Sequence, residues 1–192
     1  MAEDRSLRAD ARRNRERLIE VGREAFAEHG ADAPMDDIAR RAGVGAGTLY
    51  RHFPTREALL LAVYRSDIDT IAQRAQVLGA ELPPLEALTA WLHEQLDYIS
   101  HRHGVGAAIK KMLGSDTETL DYCRDTMRAA ARGLLERAQQ AGLVRADADA
   151  TVLLRLVHAV GLATETAPEQ AELMLGIVVA GLRAADRATT TG

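Results

Sequence analysis

One stretch constrains this chain more than any other: Pro34 to Phe53, reading PMDDIARRAGVGAGTLYRHF. Ile38, Ala39 and Ala42 recur at three- and four-residue steps, which makes one apolar helical face. Asp36 and Asp37 fall in the first turn of that helix, where acids suit the dipole. Gly43-Val44-Gly45 then predicts a tight turn, and Ala46 to Phe53 a second short helix that ends at Pro54. Two short helices joined by a glycine-containing turn are a helix-turn-helix. Val44 and Leu49 can pack inward, which leaves Ala46, Gly47, Thr48, Tyr50, Arg51 and His52 for an outer face able to enter a major groove. Thr48 and Tyr50 offer hydroxyls to phosphate, His52 offers a ring nitrogen, and the small Ala46 and Gly47 allow close approach to base edges. Arg56 opens the next helix, where its charge and the first helix amides converge on an anion.

The remaining chain also reads as helices. A first helix is expected over 12–29, with Leu18, Val21, Gly22, Ala25 and Phe26 on its inner face and Gly30 as its stop. Residues 1–11 show no apolar periodicity and are expected to form a mobile arm, with Arg5, Arg8, Arg12 and Arg13 either solvated or within reach of a minor groove. Thr55 is a suitable N-cap for a long fourth helix with its stripe at Leu59, Leu60, Val63, Tyr64, Ile68, Ile71, Ala75 and Leu78. Pro83-Pro84 breaks the chain before a fifth helix with Leu88, Trp91, Leu92, Leu96 and Ile99. Gly104 and Gly106 mark a joint before a short helix through Ile109 and Leu113. Ser115-x-x-Glu118 reads as a capping box for a helix that reaches about Ala141. Two last helices are expected over 148–164 and 168–185, the second with Pro168 at its first position. No strand pattern and no internal repeat is visible. The expected fold is all-α with about nine helices: a three-helix head over 12–58 and a six-helix body over 59–186.

A net charge of −4 disfavours a protein that coats nucleic acid without selectivity, but not a sequence-specific binder, for which local charge matters. Residues 1–60 carry eleven arginines and eleven acids, so the negative excess lies in the body. The single cysteine, Cys123, excludes an intrachain disulfide and fits a reducing compartment. The charged N-terminus lacks an apolar signal core, and no apolar run approaches a membrane span. A cytoplasmic protein is expected.

The run IARRAGVGAGTLYRHFPTREAL, 38–59, resembles the signature of the TetR family of bacterial transcriptional regulators, and the likeness extends over about 12–65. The body is similar in the number and order of its helices. Its last segment, 148–183, resembles a subgroup through His158-Ala159-Val160, Leu162-Ala163-Thr164-Glu165 and Pro168-Glu169-Gln170-Ala171-Glu172. The resemblance implies phosphate contacts at Thr48, Tyr50 and His52, base reading through Ala46, Gly47 and Arg51, and a basic phosphate contact at Arg56, a position that is more often lysine. Gly45 stands where many members carry a serine N-cap, a difference of about a few tenths of a kcal/mol. Pro34-Met35 replaces the hydroxyl residues common before the second helix. Arg40 and Arg41 read as surface charge.

A single recognition helix spans only a few base pairs, so two-fold pairing on a palindromic double-stranded DNA operator is expected. The segments 152–162 and 173–182 are apolar nearly all round and must be covered on every side. One face can meet the body and the other a second copy, which predicts a homodimer through about 150–183. The resemblance further implies a small-molecule effector inside the body and release from DNA on binding it. The candidate lining residues are Leu88, Trp91, Leu92, Met112, Cys123, Met127 and His158, an apolar set with few polar anchors. No cofactor is expected. His101 and His103 lie two apart and would face different ways on a helix, a poor metal pair. The enzyme reading lacks a constellation: there is no HExxH and no Walker lysine, and Gly43-x-Gly45-x-Gly47 follows a helix rather than the strand a dinucleotide loop needs. The other alternative is a helix-turn-helix that docks only to proteins.

Overall fold

The computed structural model describes residues 2–100 and 117–184. These residues form two compact units, 2–67 with 117–121 and 68–100 with 122–184. Among the described residues there are eight α-helices and no strand, so the fold is all-α. The short helix expected through Ile109 and Leu113, the histidine pair, Met112 and the start of the capping box lie outside the described residues.

The first unit contains α1 (Ala2–His29), α2 (Met35–Arg41), α3 (Ala46–His52) and the start of α4 (Arg56–Glu81). Helix α1 begins ten residues before the expected start at Arg12. Residues 2–11 have no apolar face, yet they contain neither glycine nor proline and are mostly good helix formers. Side-chain pairs one turn apart, Arg13 with Asp10 and Arg12 with Glu16, support the polar helix. Leu18, Ala25 and Phe26 from α1, Ile38 and Ala39 from α2, Leu49 from α3, and Leu59, Leu60 and Val63 from α4 share one core, joined by Leu120. Helix α4 thus belongs to the head through its first three turns, which carries that unit past residue 58. Helices α1 and α4 approach closely at Gly22, where an added Cβ would lie 3.3 Å from Leu59. Arg23 bridges the same two helices, donating from Nε to the buried Asp67 at 2.7 Å and from Nη2 to Ser66 Oγ at 3.2 Å.

The second unit contains the rest of α4, then α5 (Pro84–Ser100), α6 (Thr117–Gln140), α7 (Ala150–Ala163) and α8 (Ala171–Leu182). Helix α5 is its centre: Leu88, Trp91 and Leu92 are completely buried. The Trp91 indole donates to the Ile71 carbonyl at 3.0 Å, which fixes α5 to α4, and a two-pronged Arg74–Glu94 pair reinforces that contact. Helix α6 ends in a Schellman motif around Gly142, whose φ of +71° suits glycine: Gly142 N–H bonds to Gln139 O and Leu143 N–H to Ala138 O. The Gln139 amide then holds the following turn through the carbonyls of Arg145 and Ala148. Asp149 caps α7 by accepting from Thr151 and Val152 N–H. The last helix is shorter than expected, because 168–170 form a 3-10 turn before α8.

Candidate nucleic-acid interface

Helix α2 starts after Pro34, and Met35, Ile38 and Ala39 turn into the head core. It ends in a second Schellman motif: Gly43 N–H bonds to Arg40 O at 3.1 Å and Val44 N–H to Ala39 O at 3.0 Å. Gly43 has φ +67°, a conformation that costs other L-residues, so the glycine sets the turn between the two short helices. Arg17 of α1 reaches the Ala42 carbonyl at 3.5 Å, at the same end of α2. The chain then extends at Gly45, whose carbonyl accepts from Thr48 and Leu49 to open α3. With glycine there, α3 has no side-chain cap, and α2 has none at Pro34.

Leu49 and Phe53 are buried and anchor α3 by one edge. Ala46, Gly47, Tyr50 and Arg51 are exposed, and Thr48 and His52 are half-buried, so these six candidates belong to one short helix with Leu49 on its inner side. A Cβ on Gly47 would meet no atom within 4 Å. Packing within the head therefore does not explain this glycine. Pro54 closes the helix, and Thr55 Oγ1 accepts from Ala58 N–H at 3.1 Å to cap α4. Arg56, the first residue of α4, is half-buried; its guanidinium stands 3.7 Å from Asp32, and its buried Nε has no hydrogen-bond partner.

At the other end of α3, the His52 ring is held 6.4 Å from the Phe53 ring, and its buried Nε2 is unpartnered. Burial, then the charges of Arg51 and Arg15, push the His52 pKa down. These causes favour the neutral imidazole, which can both donate and accept, over the cation. Arg15 of α1 lies over Phe53, its guanidinium carbon 5.3 Å from the ring centroid. The sequence pattern gives no hint of that contact, because nothing in the spacing of 15 and 53 links them. Arg40 pairs with Asp37, and Arg41 with Glu24 and Glu28, so their charge is engaged within the head.

The body candidates separate. Leu88, Trp91, Leu92 and Cys123 are buried, Met127 packs partly buried against the core, and His158 is exposed. None of them lines the groove of about 650 Å³ that runs along α4 and α6. That groove is walled by Ala72, Ala75, Gly79, Ala130 and Leu134, with Arg137 at its edge. Small residues carry no hydrophobic signal strong enough to mark such a wall in the sequence. The outer sides of α7 and α8 expose Val152, Leu156, Leu162, Leu173 and Ile177, the last two by 68% and 64%. Among the described residues no group of three or more His, Cys, Asp or Glu is placed to hold a metal ion, and no helix is long and apolar enough to cross a membrane.

A helix-turn-helix head on an all-helical body defines a class of DNA-binding transcriptional regulators, and comparison with known proteins agrees. Residues 18–63 match the model of bacterial regulatory proteins of the TetR family, and residues 83–184 match that of the C-terminal domain of SbtR-like transcriptional regulators. A TetR transcriptional regulator from Streptomyces coelicolor is 36% identical with a TM-score of 0.76, over 89% of this chain and 99% of its own. A TetR regulatory protein from Mycobacterium vanbaalenii is 38% identical with a TM-score of 0.72, over 93% and 99%. The HTH-type transcriptional repressor KstR2 of Mycolicibacterium smegmatis is 28% identical over 75% of this chain and 74% of its own. The chain belongs to the TetR family of bacterial transcriptional regulators.

Proposed function

We propose that this regulator is a cytoplasmic repressor that binds a palindromic operator as a homodimer and leaves it when a small apolar effector enters the body. The observation that carries the reading is α3: one buried edge at Leu49 and Phe53, and an outer side on which Ala46, Gly47, Tyr50 and Arg51 are exposed and Thr48 and His52 half-buried. Thr48, Tyr50, His52 and Arg56 hold phosphates, while Ala46, Gly47 and Arg51 face base edges. The KstR2 relative is named a repressor, which favours repression.

Dimerisation is supported by the exposed apolar side chains of α7 and α8. Helix α8 has one ionisable residue, Glu172, in twelve, and still leaves Leu173 and Ile177 in solvent in the single chain. Exposed apolar surface of that kind marks an interface. The effector acts on the body, where the α4–α6 groove offers room; Leu88, Trp91, Leu92 and Met127, which do not line that groove, pack in the apolar core of the same unit. Helix α4 carries Arg56 at its first residue and groove residues from Ala72 on, so a single element connects phosphate contact and effector. Shifting a population from nearly all competent to nearly all released requires about 5.5 kcal/mol of differential affinity.

The test is fluorescence anisotropy of labelled DNA from beside the gene, against scrambled DNA, at several salt concentrations. Tight, sequence-dependent and salt-sensitive binding supports the reading. Failure to bind any duplex, even in selection from random sequences, overturns it in favour of a protein-docking helix-turn-helix. Trp91, the single tryptophan, then supplies an intrinsic fluorescence signal for effectors in the body.

A further inference from the structure

Most arginines of the head whose contacts are known are neutralised or tied down. Arg12 pairs with Glu16, Arg13 with Asp10, Arg23 with Asp67, Arg40 with Asp37 and Arg41 with Glu24 and Glu28, while Arg17 reaches a carbonyl. Arg15 and Arg51 differ: both are exposed, and among the described residues neither forms an ion pair. Arg15 lies over the ring of Phe53, two residues beyond Arg51 in the chain and beside the His52 ring. Both arginines thus fall towards the C-terminal end of α3, and neither is paired with a carboxylate among the described residues. The recognition helix ends there, and a helix C-terminus carries partial negative charge that would repel a DNA strand.

We infer that Arg15, lying over Phe53, is a phosphate clamp that extends the DNA interface from the recognition helix onto α1. Phe53 is buried and held by the Leu49 carbonyl through its own N–H, so its ring is a fixed platform. A guanidinium lying on such a ring keeps its edge N–H groups free, and those edges match two phosphate oxygens. The ring also removes part of the ordering cost of a long side chain before DNA arrives. The Arg15 guanidinium offsets the partial negative charge of the α3 terminus and so lets a phosphate approach that end of the helix. Arg15 lies outside the stretch 18–63 that matches the family's DNA-binding model, so this contact adds to those the match implies.

The contact is with backbone, so it carries no sequence information. The experiment compares the wild-type protein with Arg15→Gln, Arg15→Lys and Arg40→Gln. Each is titrated onto the duplex this protein selects from a random library and onto an unrelated duplex of equal length, from about 50 to 200 mM salt. Arg15→Gln is expected to reduce the slope of log K against log salt by about 0.9 for each Arg15 in the bound assembly. Affinity should fall about five- to ten-fold near 100 mM salt, equally on both duplexes. Arg15→Lys should restore the slope, and Arg40→Gln, whose partner is Asp37, should leave it unchanged. An unaltered slope in Arg15→Gln overturns the inference, as does a loss confined to the selected duplex, while wild-type binding still stands. A purely structural role would lower the melting temperature without moving the slope.

Discussion

Gly161 of α7 lies directly against Ile99 of α5: a Cβ added to Gly161 would stand 2.4 Å from Ile99 Cγ2 and 3.1 Å from its Cβ. The obstructing atoms sit at the branch of a stiff side chain, not at a flexible tip. Gly161→Ala should therefore destabilise the protein by about 1–3 kcal/mol, overriding the gain that removing a helical glycine normally brings. In an Ile99→Ala background the added penalty should shrink sharply, a coupling visible in a double-mutant cycle of urea melts. Gly133→Ala, where the new methyl meets nothing within 4 Å, should instead stabilise by about 0.5–1 kcal/mol.

Arg23→Met tests the bridge between α1 and α4. Asp67 is only 8% exposed and accepts the Arg23 Nε at 2.7 Å. Removing the guanidinium leaves a buried carboxylate less compensated, and a loss of about 1–3 kcal/mol is expected, less than for a fully buried pair because Arg23 is partly in solvent. Thermal unfolding of the variant checks it.

Leu173→Glu or Ile177→Arg should convert a dimer to a monomer, because each buries a charge if the α7–α8 face is covered by a second copy. The secondary structure should be retained, since both side chains are exposed in the single chain. Sedimentation equilibrium reads the change, and operator affinity should fall by at least about a hundredfold as one half-site is lost. Monodisperse monomer in the wild type would refute the proposed interface.

His52 makes stability depend on pH in a definite direction. Burial first, then Arg51 and Arg15, hold its folded pKa below the ordinary 6.5. Below 6.5 the unfolded chain takes up the proton more readily than the fold does, so this contribution lowers stability as pH falls and vanishes above 6.5. The fall in melting temperature between about pH 7.5 and 5.5 should be smaller in His52→Gln than in the wild type.

Tyr50→Ala and Gly47→Ser should separate two kinds of DNA contact. Tyr50 is 46% exposed, so its loss leaves the head folded and weakens binding about equally on all sequences. Gly47→Ser adds a side chain with free space inside the protein, and should shift base preference without altering the melting temperature. Selection from random duplexes distinguishes the outcomes.

Several features were legible in the residues because their causes are local. Gly43 needs a left-handed turn, Pro54 stops a helix, and Thr55 supplies a cap, so α2, α3 and the start of α4 lie where those residues put them. The inward placement of Leu49 follows from helical period alone. Helix α1 was less legible: periodicity begins at Leu18, but side-chain pairs and helix propensity extend the helix to Ala2. Trp91 shows the opposite limit. Its size and polar tip suit a ligand pocket, but spacing could not foretell that its indole donates to the Ile71 carbonyl and its ring packs in the body core.

The sequence by itself determined an all-helical chain, a helix-turn-helix over 35–52 and the family to which it belongs, because these depend on the order of caps, stops and apolar steps along one strand of chain. Only the tertiary structure decided which charges are free and where space remains. Arg15 rests on a ring thirty-eight residues away, Arg41 is consumed by Glu24 and Glu28, and the α4–α6 groove is lined largely by alanine and glycine drawn from two helices. Ion pairing, stacking and cavities are properties of distances between segments, and no local pattern encodes those distances.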